Sequence, residues 1–167
     1  MHLILQRVKH GVLFFNISME NLQSFVDVFA SHGVPEVIKL FAVIDVKKHN
    51  ICKPTRHQRS MYSGHKRVHC VKYQTLEAPN GLILHCSTGD DGRRGDGYIL
   101  RCSGLIDFLR NNIIFHGFKA LGDSAYPNCD VMVSIYKGRH LPHASAAFNS
   151  IMIPIQTSVE WGYEKIV

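Results

Sequence analysis

Val37-Ile-Lys-Leu-Phe-Ala-Val-Ile-Asp45 is an almost unbroken apolar run, β-branched toward its end and stopped by an acid. Such a run lacks the polar alternation of a half-solvated strand, so both faces must be covered. It predicts a buried strand, ending at Asp45, inside a sheet with helices on its faces. A shorter run, Phe118-Lys-Ala-Leu-Gly122, also ends in an acid, Asp123, just before Ser124-Ala-Tyr-Pro127. Between the two lie β-rich segments from Arg67 to Leu76 and from Leu82 to Cys86, separated by Ala78-Pro-Asn-Gly81. There proline presets φ and Asn-Gly tolerates positive φ, which predicts a hairpin. Val131 to Tyr136 reads as a further strand. Leu22, Phe25, Val26 and Phe29 recur at helical spacing within Asn21 to Ser31, and Ile99, Cys102, Leu105, Ile106 and Leu109 do so again, with Gly104 among them. Ala144 to Val167 is helical in pattern but interrupted at Pro154, which either kinks the helix or starts a new one. Hairpin strands are antiparallel and helical crossovers make parallel pairs, so the expected fold class is α/β with a mixed sheet.

The chain has 167 residues, enough for one domain. Hydrophobic residues make up 46% and charged residues 19%, which excludes a disordered chain. No apolar stretch approaches the roughly 18 residues that span a bilayer, and the N-terminus lacks the order of a secretory signal, so no membrane association is expected. Five cysteines without a Cys-x-x-Cys pair point to reduced thiols rather than a disulfide scaffold or zinc ribbon. Gly-x-Ser-x-Gly and a Walker-type phosphate loop are both absent from the sequence.

The formal charge is +6, and its distribution is uneven. From Val46 to Leu76 there is no acid, while Arg56, Arg59, Lys66, Arg67 and Lys72 all lie within that stretch. A segment of this kind suits a polyanion, nucleic acid above all, though a solvated basic loop has the same composition. The acids behave oppositely. Asp45 and Asp123 close two buried strands, and Glu160 belongs to the final helix that must pack on the sheet. Three converging carboxylates in a basic protein are reconciled by a pair of divalent cations, which take oxygen ligands and stabilise both the attacking and the leaving oxygen of a phosphodiester. The competing reading for any single acid is a turn or helix cap.

Longer motifs decide between these readings. The run from Ile51-Cys-Lys-Pro-Thr-Arg56 through Tyr62-Ser-Gly-His-Lys-Arg-Val-His-Cys-Val-Lys-Tyr-Gln74 resembles the segment after the first catalytic Asp of Harbinger-type DDE transposases and the nucleases derived from them. Ala78-Pro-Asn-Gly-Leu82, Gly92-Arg-Arg-Gly-Asp96, Ser103-Gly-Leu105, Gly122-Asp-Ser-Ala-Tyr-Pro127, Phe148-Asn149 and Ser158-Val-Glu-Trp-Gly162 follow in the family's order. The resemblance covers about residues 33 to 167 and implies a ribonuclease H-like domain there, preceded by a short helical lead-in over residues 1–32 and C-terminally short. It further implies Mg²⁺ or Mn²⁺, two ions per site, held by Asp45, Asp123 and Glu160 as the catalytic D-D-E triad, with Asp96 as a supporting acid. The substrate implied is DNA, contacted through Arg56, Arg59, Lys66, Arg67 and Lys72. The DNA substrate and the basic run point to a nuclear location, with the cytoplasm as the alternative, and a separate DNA-binding protein for target recognition is the expected partner. The chain departs from the family pattern at Val46 and Lys47, where Gly-Thr is usual, at Gly95 in place of His, at Gln156 in place of Arg, and at Pro154 and Glu164. Lys47 shares a strand face with Asp45 and competes there with a cation. These departures define the alternative, a decayed or domesticated core that binds DNA or a protein without cleaving.

Overall fold

The computed structural model describes the backbone of residues 4–8, 11–15 and 17–163 and the side chains of residues 17–158. Among the described residues one sheet runs through the molecule in the order β1-β2-β6-β5-β3-β8-β9. Its strands are β1 (Ile4–Val8), β2 (Gly11–Phe15), β3 (Leu40–Asn50), β5 (Val68–Glu77), β6 (Ile83–Ser87), β8 (Lys119–Gly122) and β9 (Met132–Ser134). Two-residue strands β4 (Tyr62–Ser63) and β7 (Asp90–Asp91) pair with β5 off this path. β3–β8 and β8–β9 are parallel and the other pairs antiparallel. The helices are α1 (Met19–Ser31), α2 (Gln58–Met61), α3 (Asp96–Ser103), α4 (Leu105–Asn111) and α5 (His143–Tyr163). This is the expected α/β class: a mixed sheet flanked by helices, compatible with a ribonuclease H-like fold. No described helix is long and apolar enough to cross a membrane.

Local chemistry sets most boundaries. Ser18 caps α1 in a reciprocal capping box with Asn21, and Leu22, Phe25, Val26 and Phe29 are buried as their spacing requires. The predicted hairpin forms between β5 and β6. The central strand starts later and ends later than expected. Glu36–Ile38 is a 3₁₀ turn after Pro35, Lys39 is left-handed at φ 48°, and Val37 is 88% exposed. β3 then continues through Asp45 for five more residues, because Val43 to Asn50 pair with β5. The helical spacing over Ile99 to Leu109 is split into α3 and α4 at Gly104, whose φ of 70° a non-glycine residue adopts only with strain. Over His143–Tyr163, Pro154 lies inside one unbroken helix. The lead-in carries the β1–β2 hairpin as well as α1, and this hairpin joins the sheet at β6.

The two faces of β3 carry separate cores. Ala42, Ile44 and Val46 belong to a cluster with Leu76, Ala120, Tyr126 and the α3–α4 residues Ile99, Leu100, Leu105 and Leu109. Leu40, Val43 and Leu121 face Phe29 of α1 and Met152 and Ile155 of α5. β3 is thus buried on both sides, as a near-continuous apolar run demands.

Candidate active site

The parallel register fixes the site. Ala42 pairs with Ala120 and Val43 with Leu121. Continued by two residues, that register sets position 45 beside position 123. Side chains alternate along a strand, so Asp45 follows Val43, and Asp123 follows Leu121, on the face that α5 covers. Neighbouring strands lie about 4.8 Å apart, which puts Asp45, inside β3, beside Asp123, directly after the end of β8.

Asp123 is half-buried and opens a tight turn. Its Oδ1 accepts the Ala125 N–H at 2.8 Å and its carbonyl accepts the Tyr126 N–H at 3.1 Å. Burial raises its pKa above the usual carboxylate value, and the charge of Asp96 adds to the rise. The Ala125 N–H and the Lys48 ammonium act in the opposite direction. A divalent cation between the acids would offset the same repulsion, and oxygen donors of this kind suit a hard ion such as Mg²⁺ or Mn²⁺.

Asp96 enters from the other face of the sheet as the first residue of α3, where the helix dipole favours a carboxylate. Lys72 Nζ donates to its Oδ1 at 3.2 Å and to the carbonyl of Arg94. Expected to contact DNA, Lys72 is instead buried, and its ammonium ties β5 to the start of α3. Strand alternation turned that side chain inward, next to Asp96.

Arg56, Arg59, Lys66 and Arg67 are exposed. Lys66 and Arg67 form the tip of the β4–β5 hairpin, where Arg67 is left-handed and donates to the Ser63 carbonyl. Arg59 lies on α2 and Arg56 just before it. Gly92 connects this arm to the acids. A Cβ there would stand 2.4 Å from the Met61 carbonyl and 2.5 Å from that of Cys70, so only glycine fits between α2 and β5. Arg93 N–H then bonds to the Ser60 carbonyl, and the chain reaches Asp96 four residues after Gly92.

Glu160 belongs to α5, one turn beyond Gln156; its side chain lies outside the described residues. Among the described residues, no three of His, Cys, Asp and Glu stand close enough to hold a metal ion by themselves. Lys47 is half-buried two residues after Asp45 on the same strand. Gly95 has open space where a side chain would project. Glu164 lies outside the described residues.

Sequence reasoning passed over Tyr126, whose ring is buried against Gly122. A Cβ on that glycine would come within 2.7 Å of the ring. Burial first, and then the charges of Asp45, Asp96 and Asp123, push its hydroxyl pKa upward. The signal was present in Gly122-Asp-Ser-Ala-Tyr126: an aromatic one tight turn after an acid, preceded by a glycine able to receive its ring.

Comparison with known families matches residues 44–166 to the family described as DDE superfamily endonuclease. No curated protein and no solved structure matches the chain.

Proposed function

Since the chain belongs to the DDE superfamily endonucleases, we propose that it is a divalent-metal-dependent DNA nuclease of the Harbinger type. In this reading Asp45, Asp123 and Glu160 hold two Mg²⁺ or Mn²⁺ ions. The β3–β8 register, which sets the two aspartates side by side, carries the proposal. The ions supply a nucleophilic water at neutral pH and neutralise charge on the phosphodiester oxygens. The protein's own part is positional. Paired strands hold Asp45 and Asp123 at fixed spacing, the Ala125 N–H orients the Asp123 carboxylate, and Lys72 anchors Asp96 at the start of α3. Arg56, Arg59, Lys66 and Arg67 bind the DNA backbone and bring phosphates toward the acids. The domain over residues 33–167 acts in the nucleus, with target recognition supplied by a separate DNA-binding protein.

One observation favours a second reading. Lys47 lies half-buried on the strand face of Asp45, where its ammonium competes with a cation. A domesticated core that binds DNA without cutting it would tolerate this.

Nicking of supercoiled plasmid in Mn²⁺ separates the two. The nuclease reading expects nicking by the wild-type chain that disappears with Asp123→Asn and with EDTA. A folded chain that binds DNA and leaves the plasmid intact establishes the binding module instead.

A further inference from the structure

Beyond Asp45, β3 and β5 carry a face that the metal site leaves unused. Lys47 pairs with Tyr73 and His49 with Val71, so alternation sets these four side chains on one face of the sheet. His69, two residues before Val71, continues the row and pairs with Tyr62 of β4. The opposite face is sealed: Cys70, Lys72 and Gln74 are buried there, and Lys72 and Gln74 bond to Asp96 and Ser103 of α3. The Lys47 face is half-buried at Lys47, His69, Val71 and Tyr73 and exposed at His49 and Tyr62. Its rings come in two pairs. His49 and Tyr73 have centroids 5.4 Å apart at 83°, and Tyr62 and His69 lie 5.3 Å apart at 61°. In an edge-to-face pair, the ring that meets its partner by the edge keeps its own faces clear of that partner. Gly89 fixes the position of Tyr73, since a Cβ on this glycine would stand 3.2 Å from the tyrosine ring. Charge changes along the face. Lys66 and Arg67 stand at the hairpin tip, Lys47 lies between the rings and Asp45, and Asp91, beside Val71, is 4.0 Å from the Arg94 Nε.

We propose that this face binds an unpaired DNA strand, its bases stacking on Tyr62, His69, His49 and Tyr73 while its backbone runs from the Lys66–Arg67 tip toward Asp45. Every base offers an aromatic face, so a row of rings holds a strand without reading its sequence, and cations beside the rings take the phosphates. From Val68 to Thr75, the partner of Asp45, β5 spans about 24 Å at about 3.4 Å per residue, which accommodates several nucleotides. A duplex keeps its bases stacked on one another, so the rings distinguish the two forms of DNA while the cations at the tip serve both. Lys47 gains a role in this arrangement, holding a phosphate between the rings and the acids. The inference rests on the reading that DNA is the substrate, and it does not depend on cleavage.

Binding of a fluorescein-labelled single-stranded oligonucleotide, and of the same sequence as a duplex, is measured by anisotropy in EDTA for wild type, His49→Ala, Tyr62→Leu and Tyr62→Phe. Both altered side chains are exposed, and melting midpoints are recorded alongside. The expected result is single-strand affinity lowered about fivefold or more in His49→Ala and in Tyr62→Leu, with duplex affinity retained. Tyr62→Phe keeps the ring and should match wild type on both forms. Unchanged single-strand affinity in either ring-removing variant overturns the inference. An equal loss on the duplex overturns it too, by showing that the rings support the fold or the charge of the arm rather than stack on bases. If wild type binds neither form, the DNA reading fails and the inference fails with it. Single-strand binding through the rings by a chain that nicks no plasmid in Mn²⁺ removes the nuclease and leaves this face standing.

Discussion

His85 sits fully buried on β6 with neither ring nitrogen hydrogen-bonded among the described residues, and burial lowers its pKa from 6.5 to about 4. Between those two pH values the unfolded chain holds a proton on this imidazole that the folded chain rejects, so stability falls as pH falls through that window and is independent of this group below it. At about 1.4 kcal/mol per unit the loss approaches about 3 kcal/mol. We expect urea unfolding between pH 7 and pH 4 to show this decline in wild type and a markedly shallower one in His85→Leu; equal slopes would place the acid sensitivity elsewhere. Asp123 shifts the opposite way for an acid: its raised pKa makes the metal-free fold weaker as pH rises through the shifted value. Asp123→Asn keeps an Oδ1 acceptor for the Ala125 N–H, so its metal-free midpoint at pH 7 should exceed that of wild type. Neither effect is legible in sequence, because both depend on what surrounds a residue whose type alone says little. The strand end before Asp123 is legible, since β8 stops at Gly122, whereas Asp45 lies inside β3, which runs on to Asn50 because its later residues pair with β5.

Among the elements, α5 departs furthest from its local preference. Pro154 removes an amide donor inside the helix, yet His143–Tyr163 continues through it, held by Met152 and Ile155 against Val43 and Leu121. Tertiary packing has overridden propensity. Pro154→Ala should therefore raise stability by about 1–3 kcal/mol, read as a higher melting midpoint; a lower midpoint would show that the pyrrolidine ring itself packs productively. At the start of β3 the reverse happened. Val37 looks like a strand residue by type, but Pro35 and a left-handed Lys39 turn it out to solvent. Periodicity located α1 and the β5–β6 hairpin because their caps and turns are written in adjacent residues. It joined α3 to α4 because the spacing of apolar residues carries no record of the positive φ at Gly104.

Around the candidate site charge is unevenly placed: Asp45 lies on β3, Asp123 just after β8 and Asp96 at the start of α3, while the exposed Arg56, Arg59, Lys66 and Arg67 lie on or beside α2 and the β4–β5 hairpin. Composition revealed that asymmetry, although one of its cations, Lys72, proved to be internal. DNA affinity should fall steeply with salt. Replacing Arg56, Arg59, Lys66 and Arg67 by alanine should reduce the slope of log affinity against log salt by about 3.6, at about 0.9 per phosphate contact. An unchanged slope would move the interface to another surface. The β3–β8 pairing has a consequence for how such a chain tolerates change in length. The distance between positions 45 and 123 is set by neighbouring strands and not by the chain that joins them, so residues added at the Asn80–Gly81 tip cost only the slowly growing entropy of a longer loop. One residue added between Val43 and Asp45 would instead rotate Asp45 to the opposite face of the sheet. Descendants of this sequence can therefore diverge widely in the size of their loops while β3 up to Asp45 and β8 admit neither an insertion nor a deletion.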